Sequence, residues 1–455
     1  MRTGGRQKNW PETAHARAKA SKPSLGLTNS SYWLVKSRSL GAGGLGNART
    51  RRLLGPRIKS AAFGAYRGLF RPAISRRRRV AELSGKNAAV HAKPAMRPPN
   101  EIDFWRGLAL AVIFIDHVPG IVFEGYTLRV VAVSDAAEIF VFLAGWSLRL
   151  LVASRQVRDM SASHVVLRLE SRAFTIFAAQ IVITEIALAM TAAGAIYLEN
   201  PLVLDWNNAS AVFENPMEAH VGLVLLSHQL GYFDILPLYV VLMAGAPIAV
   251  LLDRRAPALV LPLSLAIYAA TLATGANLPT WPVEGRWYFN PGAWQLNFTL
   301  GFMLAAKSGL GGYVRRHRLA VRLAGIPVLL AGLVAAHFGW SPDPLSLPEP
   351  RLFLMFDKTY ATPARVLGLL SIVAVFGGCY KGFEPWAGPV TRFFSTMGRN
   401  SLNVFCVGSL LSLMAQFARF SLGGGVVIDT LVLISAVACM YVTAWLSEWR
   451  ERAKA

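Results

Sequence analysis

Acidic residues are scarce in this chain of 455 residues: 25 Asp and Glu stand against 47 Lys and Arg, and the four charged types make up only 16%. An average soluble protein carries about a quarter. Together with 54% apolar residues, that shortage excludes an ordinary soluble enzyme. Cysteine is nearly missing as well. Cys379, Cys406 and Cys439 sit apart in apolar stretches, without a C-x-x-C pair or a Cys/His cluster, so neither a disulfide framework nor a metal site is expected. There is no apolar run close behind the first basic residues, as a secretory signal requires. Arginine, glycine and proline interrupt every stretch before Phe104, so the first span is expected to act as the insertion signal. A Gly-x-Ser-x-Gly nucleophile elbow is lacking too, which argues against a covalent serine intermediate.

A net charge of +22 would suit a nucleic-acid partner if it were spread over a binding face. Its distribution argues against that partner. Residues 1–103 hold 22 Lys/Arg and 4 Asp/Glu, whereas the remainder holds 25 against 21. The segment 1–99, rich in Arg, Gly, Ser and Ala and containing Arg76 to Arg79, has no sustained helical period and reads as a disordered basic tail. An arm drawn to anionic lipid, a nucleic-acid contact and a start codon placed too far upstream compete to explain it. Met96-Arg97-Pro98-Pro99-Asn100 would itself make a basic leader directly before a span.

From residue 100 to 447 the chain reads as a polytopic membrane domain, followed by a short cytoplasmic tail, 448–455. A bilayer core of about 30 Å needs about 20 apolar residues per helix. Ten stretches approach this: 104–122, 135–153, 173–195, 233–252, 257–275, 291–306, 323–338, 363–380, 400–420 and 426–446, the sixth and seventh being short. The fold expected is therefore an all-α integral membrane protein of about ten transmembrane helices. Val221 to Leu230 reads as a further interfacial or re-entrant piece. With the basic tail inside, the loops obey the positive-inside rule. Inner loops carry Arg155, Arg158, Arg168 and Arg172, then Arg254 and Arg255, then Arg315 and Arg316, then Lys381, Arg392 and Arg399. One outer loop carries Glu199, Asp205, Glu214 and Glu218 and no cation between them. The expected location is a bacterial inner membrane, crossed many times, with both termini cytoplasmic. The outer loops are rich in Trp, Tyr, Asn and Pro; interfacial anchoring explains these aromatics, and a carbohydrate-facing surface would use the same groups.

Ionisable groups inside a span are costly and mark function by default. The first hairpin has several. Asp103 and Arg106 open the first span, Asp116 and His117 lie near its outer end, and Asp135 and Glu138 open the second. Arg106 and His117 are eleven residues apart, which places them on one helix face about 16 Å apart along the axis. Antiparallel helices put Glu138 at the depth of His117, where a carboxylate would fix the imidazole tautomer and help it take a hydroxyl proton. The plainer explanation makes His117 interfacial, turns Asp116 to the headgroups and makes Asp135 a helix cap.

The stretch Ile102-Asp103-Phe104-Trp105-Arg106-Gly107, the ten residues between Arg106 and His117, and Ser134-Asp135-Ala136-Ala137-Glu138-Ile139-Phe140 through Gly145 resemble the OpgC family, integral membrane proteins linked to succinylation of osmoregulated periplasmic glucans. The Arg-x10-His spacing is also similar to that of the wider acyltransferase-3 superfamily of ten-span enzymes. Asp234-Ile235-Leu236-Pro237-Leu238-Tyr239, Asn290-Pro291-Gly292-Ala293-Trp294-Gln295 and Gly398-Arg399-Asn400-Ser401-Leu402 extend the resemblance over the whole membrane part.

The resemblance implies acyl transfer from a cytoplasmic acyl-CoA, succinyl-CoA foremost, to a hydroxyl of a periplasmic glucan or other exported carbohydrate, with no permanently bound cofactor and no metal. His117 is then the general base, oriented by Glu138 or Asp116, and Arg106 holds the donor. Asp103, Asp135, Arg399 and Asn400 are candidate substrate-binding groups beside it. Asn290, Trp294 and Gln295 are candidates for the acceptor side, and His228 with Asp234 forms a second-choice base and orienter. Arg155, Arg158, Arg168, Arg172, Arg315 and Arg316 would meet the donor's phosphates, although the positive-inside rule alone accounts for them. Asn400, Ser401 or Asn297 would face the oxyanion. Two other classes fit the composition: a transporter or flippase for a polar substrate, and a non-catalytic partner of glucan synthesis. The absence of a convincing internal repeat, and the gathering of charge in one hairpin, favour a single reaction centre over symmetric gates.

Overall fold

The computed structural model describes residues 99–454. The basic tail expected over 1–99 lies almost wholly outside the described residues. Eleven helices of twelve residues or more follow one another: α1 (Glu101–Asp116), α2 (Ala136–Ala153), α3 (Ala162–Tyr197), α4 (Ile235–Arg255), α5 (Pro257–Thr274), α6 (Pro291–Ala305), α7 (Arg318–His337), α8 (Pro363–Phe376), α9 (Gly388–Arg399), α10 (Ser401–Leu422) and α11 (Val426–Lys454). Among the described residues the sheet content is one hairpin, Pro279–Thr280 against Gly285–Arg286, with Pro279 opposite Arg286.

Among the described residues eight helical segments are long and apolar enough to cross a membrane, one of them α8 together with the turn and short helix that continue it to Phe383. Two of the ten expected spans fall short: α1 has 16 residues and α6 has 15. At 1.5 Å per residue these reach only about 24 and 22 Å. Both are shielded by neighbours, α1 by α2, α9 and α10, and α6 by α2 and α5. At the other extreme, only 11% of the apolar window of α7 and 17% of that of α11 are buried, against 56% of α2. Leu319, Leu330 and Val334 on α7, and Val427, Leu431 and Ile434 on α11, stand exposed. Such a patch has no place in water and suits a lipid-facing rim.

The interior depends on two close helix crossings. Gly145 of α2 rests against the Phe298 carbonyl of α6, and Gly301 of α6 against the Phe142 carbonyl of α2; a Cβ on either would collide with backbone. Gly107 of α1 and Gly398 of α9 meet in the same reciprocal way, against the carbonyls of Phe394 and Asp103. Small residues facing each other let backbones approach where no hydrophobic driving force between helices is available.

Helix α9 was not expected, because Lys381 to Arg399 reads as a basic inner loop. It is strongly amphipathic and short, and it buries Thr391, Ser395, Thr396, Met397 and Gly398 against α1 and α11. The piece expected at Val221 to Leu230 begins in a nine-residue helix, Pro216–Val224.

Loops read as lying on one side of the membrane bond to each other. Arg419 donates to the carbonyls of Pro119 and Gly120, Val122 N–H donates to Asp429, Trp281 N–H donates to Ser227, and Lys358 donates to Asp135. The opposite ends do likewise. Gly378 N–H donates to Glu101, Arg254 to the carbonyls of Val157 and Met160, and Arg399 to Glu448.

Candidate functional site

Helix α1 stops at Asp116, and His117 is its C-cap, with its own N–H donating to Ile113. Two neighbours fix this residue. Gln416 of α10 donates from Nε2 to the His117 carbonyl at 2.8 Å, and the Tyr232 ring lies 4.9 Å from the imidazole, tilted by 46°. Among the described residues no hydrogen bond engages a ring nitrogen of His117. Lys358, Asp135 and Arg129 are the charges close enough to act on it. Asp116 sits beside the Thr127 hydroxyl, and its Oδ1 is buried without a hydrogen-bond partner.

Glu138 does not pair with His117, which corrects the expected orienter. Asp135 and Glu138 form a capping box at the start of α2: Asp135 Oδ1 accepts from Ala137 N–H at 2.9 Å, and Glu138 Oε2 accepts from Asp135 N–H at 3.0 Å. The outward oxygens then meet two cations that sequence spacing did not point to. Arg365, the third residue of α8, donates from Nε to Glu138 at 2.5 Å and from Nη2 to Asp135 at 3.3 Å, and Lys358 donates to Asp135 at 2.6 Å. Glu138 is wholly buried, so an unpaired carboxylate there would be very costly. The rotation about the helix axis differs from the expectation: the Glu138 carboxylate faces Arg365 of α8 rather than α1.

Asn290, Trp294 and Gln295 likewise serve packing rather than an open surface. Asn290 caps α6 through Oδ1 to Gly292 N–H, and its amide donates to the Ala276 carbonyl at 2.7 Å. Trp294, fully buried, donates from its indole to the carbonyls of Lys358 and Thr359. Gln295 exchanges hydrogen bonds with Ser264 across α5 and α6. Trp294, the Asn290 N–H, which donates to the Thr359 carbonyl, and Tyr268, whose hydroxyl donates to the Ala361 carbonyl, pin the strap 357–362 that carries Lys358. The Lys358 ammonium also lies 5.8 and 5.7 Å from the ring centres of Tyr288 and Phe289. Burial opposes its charge, but Asp135 and Tyr288 outweigh that and hold its pKa above the ordinary lysine value.

His228 and Asp234 do not form a pair. His228 is shut inside the loop layer at 2% exposure, and burial pushes its pKa down against a pull from the Asn208 backbone. Asp234 precedes α4 without a side-chain capping bond.

At the opposite end, Arg106 bridges three helices. It donates to the carbonyls of Gly398 in α9 and Leu143 in α2 and to the Ser147 hydroxyl, and it lies 3.8 Å from Asp103. Asp103 is also held by the Asn100 amide at 2.5 Å. Arg399 pairs with Glu448 of α11, and Asn400 donates to the Thr396 carbonyl, so both act on the inner helix ends. Asn297 is completely buried, with neither side-chain polar atom hydrogen-bonded among the described residues. Arg155, Arg158, Arg168, Arg172 and Arg316 are exposed, as a solvated basic face would be; Arg315, also exposed, closes the end of α6 on the carbonyls of Leu304 and Ala306.

His117 lines one cavity, and its neighbours Tyr232 and Gln416 line another. One is a void of about 10 Å³ that it lines with Leu110, Phe114, Ser409, Ser412 and Met440, room for one water at most. The other is a cleft of about 450 Å³ behind Tyr232, formed with Trp206, Gln416, Arg419 and Phe420. Neither reaches Arg106. The common passage expected from Arg106 to His117 is therefore not found in these two cavities; the stripe spans the bundle, but its ends sit in different surroundings.

A bundle of apolar helices with a polar cluster at one end defines a multi-pass membrane protein. The family model described as OpgC protein matches residues 99–452, and the chain belongs to that family. The same comparison with curated proteins gave no match, nor did that with solved structures.

Proposed function

We propose that the chain is a ten-crossing inner-membrane O-acyltransferase, with both termini cytoplasmic, that moves a succinyl group from succinyl-CoA to a hydroxyl of an exported glucan. Family membership supports a role in glucan modification, and the mutual bonding of the loops on each side supports ten crossings, with α1 and α6 completing the eight long helices. One observation carries the chemistry. His117 is the group of the first hairpin whose ring stays free of hydrogen bonds among the described residues, and it stands where α1 ends, in contact with Tyr232 and Gln416, which line an open cleft.

In this reading the imidazole takes the proton of the acceptor hydroxyl as the oxygen attacks the thioester carbonyl. The tetrahedral intermediate collapses with loss of the coenzyme thiolate, which receives the proton from the imidazolium. Of the charges that act on the ring, Asp135 favours the transient imidazolium, while Lys358 offers a fixed cation toward the oxyanion. Arg106 keeps α1, α2 and α9 in register at the donor end, and the exposed inner arginines meet the donor's phosphates.

The test uses the full chain reconstituted in vesicles, with labelled succinyl-CoA on one side and glucan on the other. Succinylated glucan is the expected product. Movement of either compound without modification would instead establish a transporter, and neither result would leave a scaffold.

A further inference from the structure

We propose that the 450 Å³ cleft beside His117 is a binding subsite for one pyranose ring of a neutral saccharide, with Trp206 as its stacking face and Gln416 as its hydroxyl-binding edge. The proposal rests on the acyl-transfer reading and adds the place and chemistry of acceptor binding.

The cleft lies within the range of volumes that hold small ligands, about 300 to 1,000 Å³. Its lining joins two chemistries. Trp206 is 38% exposed and Phe420 50%, and they meet edge to face at 5.1 Å, so the pair is braced and an indole surface remains available. A pyranose has an apolar C–H face that stacks on such a ring and an edge of hydroxyls that needs planar polar partners. Gln416 provides one: its Nε2 is used by the His117 carbonyl, and its amide oxygen remains as an acceptor.

Charge decides between a neutral and an anionic occupant. Arg419 is the cation of the cleft, and Asp429 neutralises it at 2.7 Å, while the Pro119 and Gly120 carbonyls each take one further donor. Asp429 is itself fully buried and accepts from Val122 N–H at 2.8 Å. Arg419 is therefore a wall that fixes the α1 exit loop, not a free guanidinium for a phosphate headgroup. A bare lipid chain would leave the Gln416 amide unsatisfied.

Position ties the cleft to the chemistry. Tyr232 and Gln416 both line it and both touch His117. Tyr232 holds a left-handed backbone, φ 65°, which is strained for an aromatic residue and of a kind that gathers at ligand sites.

The experiment is calorimetric titration of the full chain in lipid nanodiscs with sophorotetraose, laminaritetraose and cellotetraose. It compares the natural chain with Trp206→Ala, Trp206→Phe and His117→Ala, alongside the transfer assay. The natural chain and His117→Ala should bind at least one tetrasaccharide with similar Kd. Trp206→Ala should weaken that binding about tenfold and raise the acceptor KM while leaving the donor KM unchanged, and Trp206→Phe should restore most of it. Binding of none of the three, or binding indifferent to Trp206→Ala, overturns the subsite. Displacement of the sugar by a phospholipid headgroup alone would overturn it too. Transfer that survives His117→Ala while sugar binding still depends on Trp206 would overturn the assigned base and support the subsite.

Discussion

The two ends of the helix bundle use buried charge differently. At the end where α1 begins, Asp103, Arg106, Arg399 and Glu448 join helices α1, α2, α9 and α11 into one unit. At the end where α1 stops, the charges divide. Asp135, Glu138, Lys358 and Arg365 form a neutral, fully bonded group, Arg419 and Asp429 form another, and His117 between them keeps its ring free of hydrogen bonds among the described residues. An ionisable group inside a membrane protein is thus a marker of function only after its bonding is known. Bonded charges position the helices; of the groups left unbonded among the described residues, which include Asp116 Oδ1 and the enclosed His228 ring, His117 is the one assigned to chemistry.

That contrast is most severely tested at Arg365. Removing it strands Asp135 and Glu138 in the interior, so Arg365→Ala should destabilise the fold by about 3 to 5 kcal/mol, read as a large drop in melting temperature in detergent. Arg365→Met combined with Glu138→Gln should recover much of that stability. Failure of the double variant to recover any would mean the cluster does more than satisfy its own charges. Next in size are the glycine crossings. Gly145→Ala or Gly398→Ala drives a methyl into a facing backbone carbonyl and should cost about 1 to 3 kcal/mol. Unchanged melting in both would show that the helices are not in close contact. Smallest is Arg399→Gln: the amide can still donate to the buried Glu448 in place of the guanidinium, so a loss of about 1 to 2 kcal/mol is expected. A collapse of transfer in this variant with intact melting would move the functional centre to the α1 entrance end.

Much of this was legible in the sequence. Apolar runs located the long helices, because burial in lipid demands continuous apolar length. The capping box was visible in principle, since Asp135 and Glu138 stand three apart before an apolar run. Arg365 and the Arg419–Asp429 pair were open to the same reasoning that singled out His117, as ionisable residues inside expected spans. Their partners were not. Glu138 and Arg365 are separated by 227 residues, and only the packing of α8 on α2 brings them together. Helix α9 escaped because its amphipathic pattern is short and its basic residues imitate a loop. Asn290 and Trp294 carry a motif whose role shows only when the strap 357–362 is docked onto them.

The central claim is that His117, whose ring makes no hydrogen bond among the described residues, carries the proton in the reaction rather than holding the fold. The direct measurement is the transfer rate of His117→Gln beside its melting temperature, both on protein in lipid nanodiscs. Transfer should fall by about 10² to 10⁴ with melting unchanged. A variant that retains transfer within a few-fold of the natural chain, or that unfolds as Arg365→Ala is expected to, would contradict it.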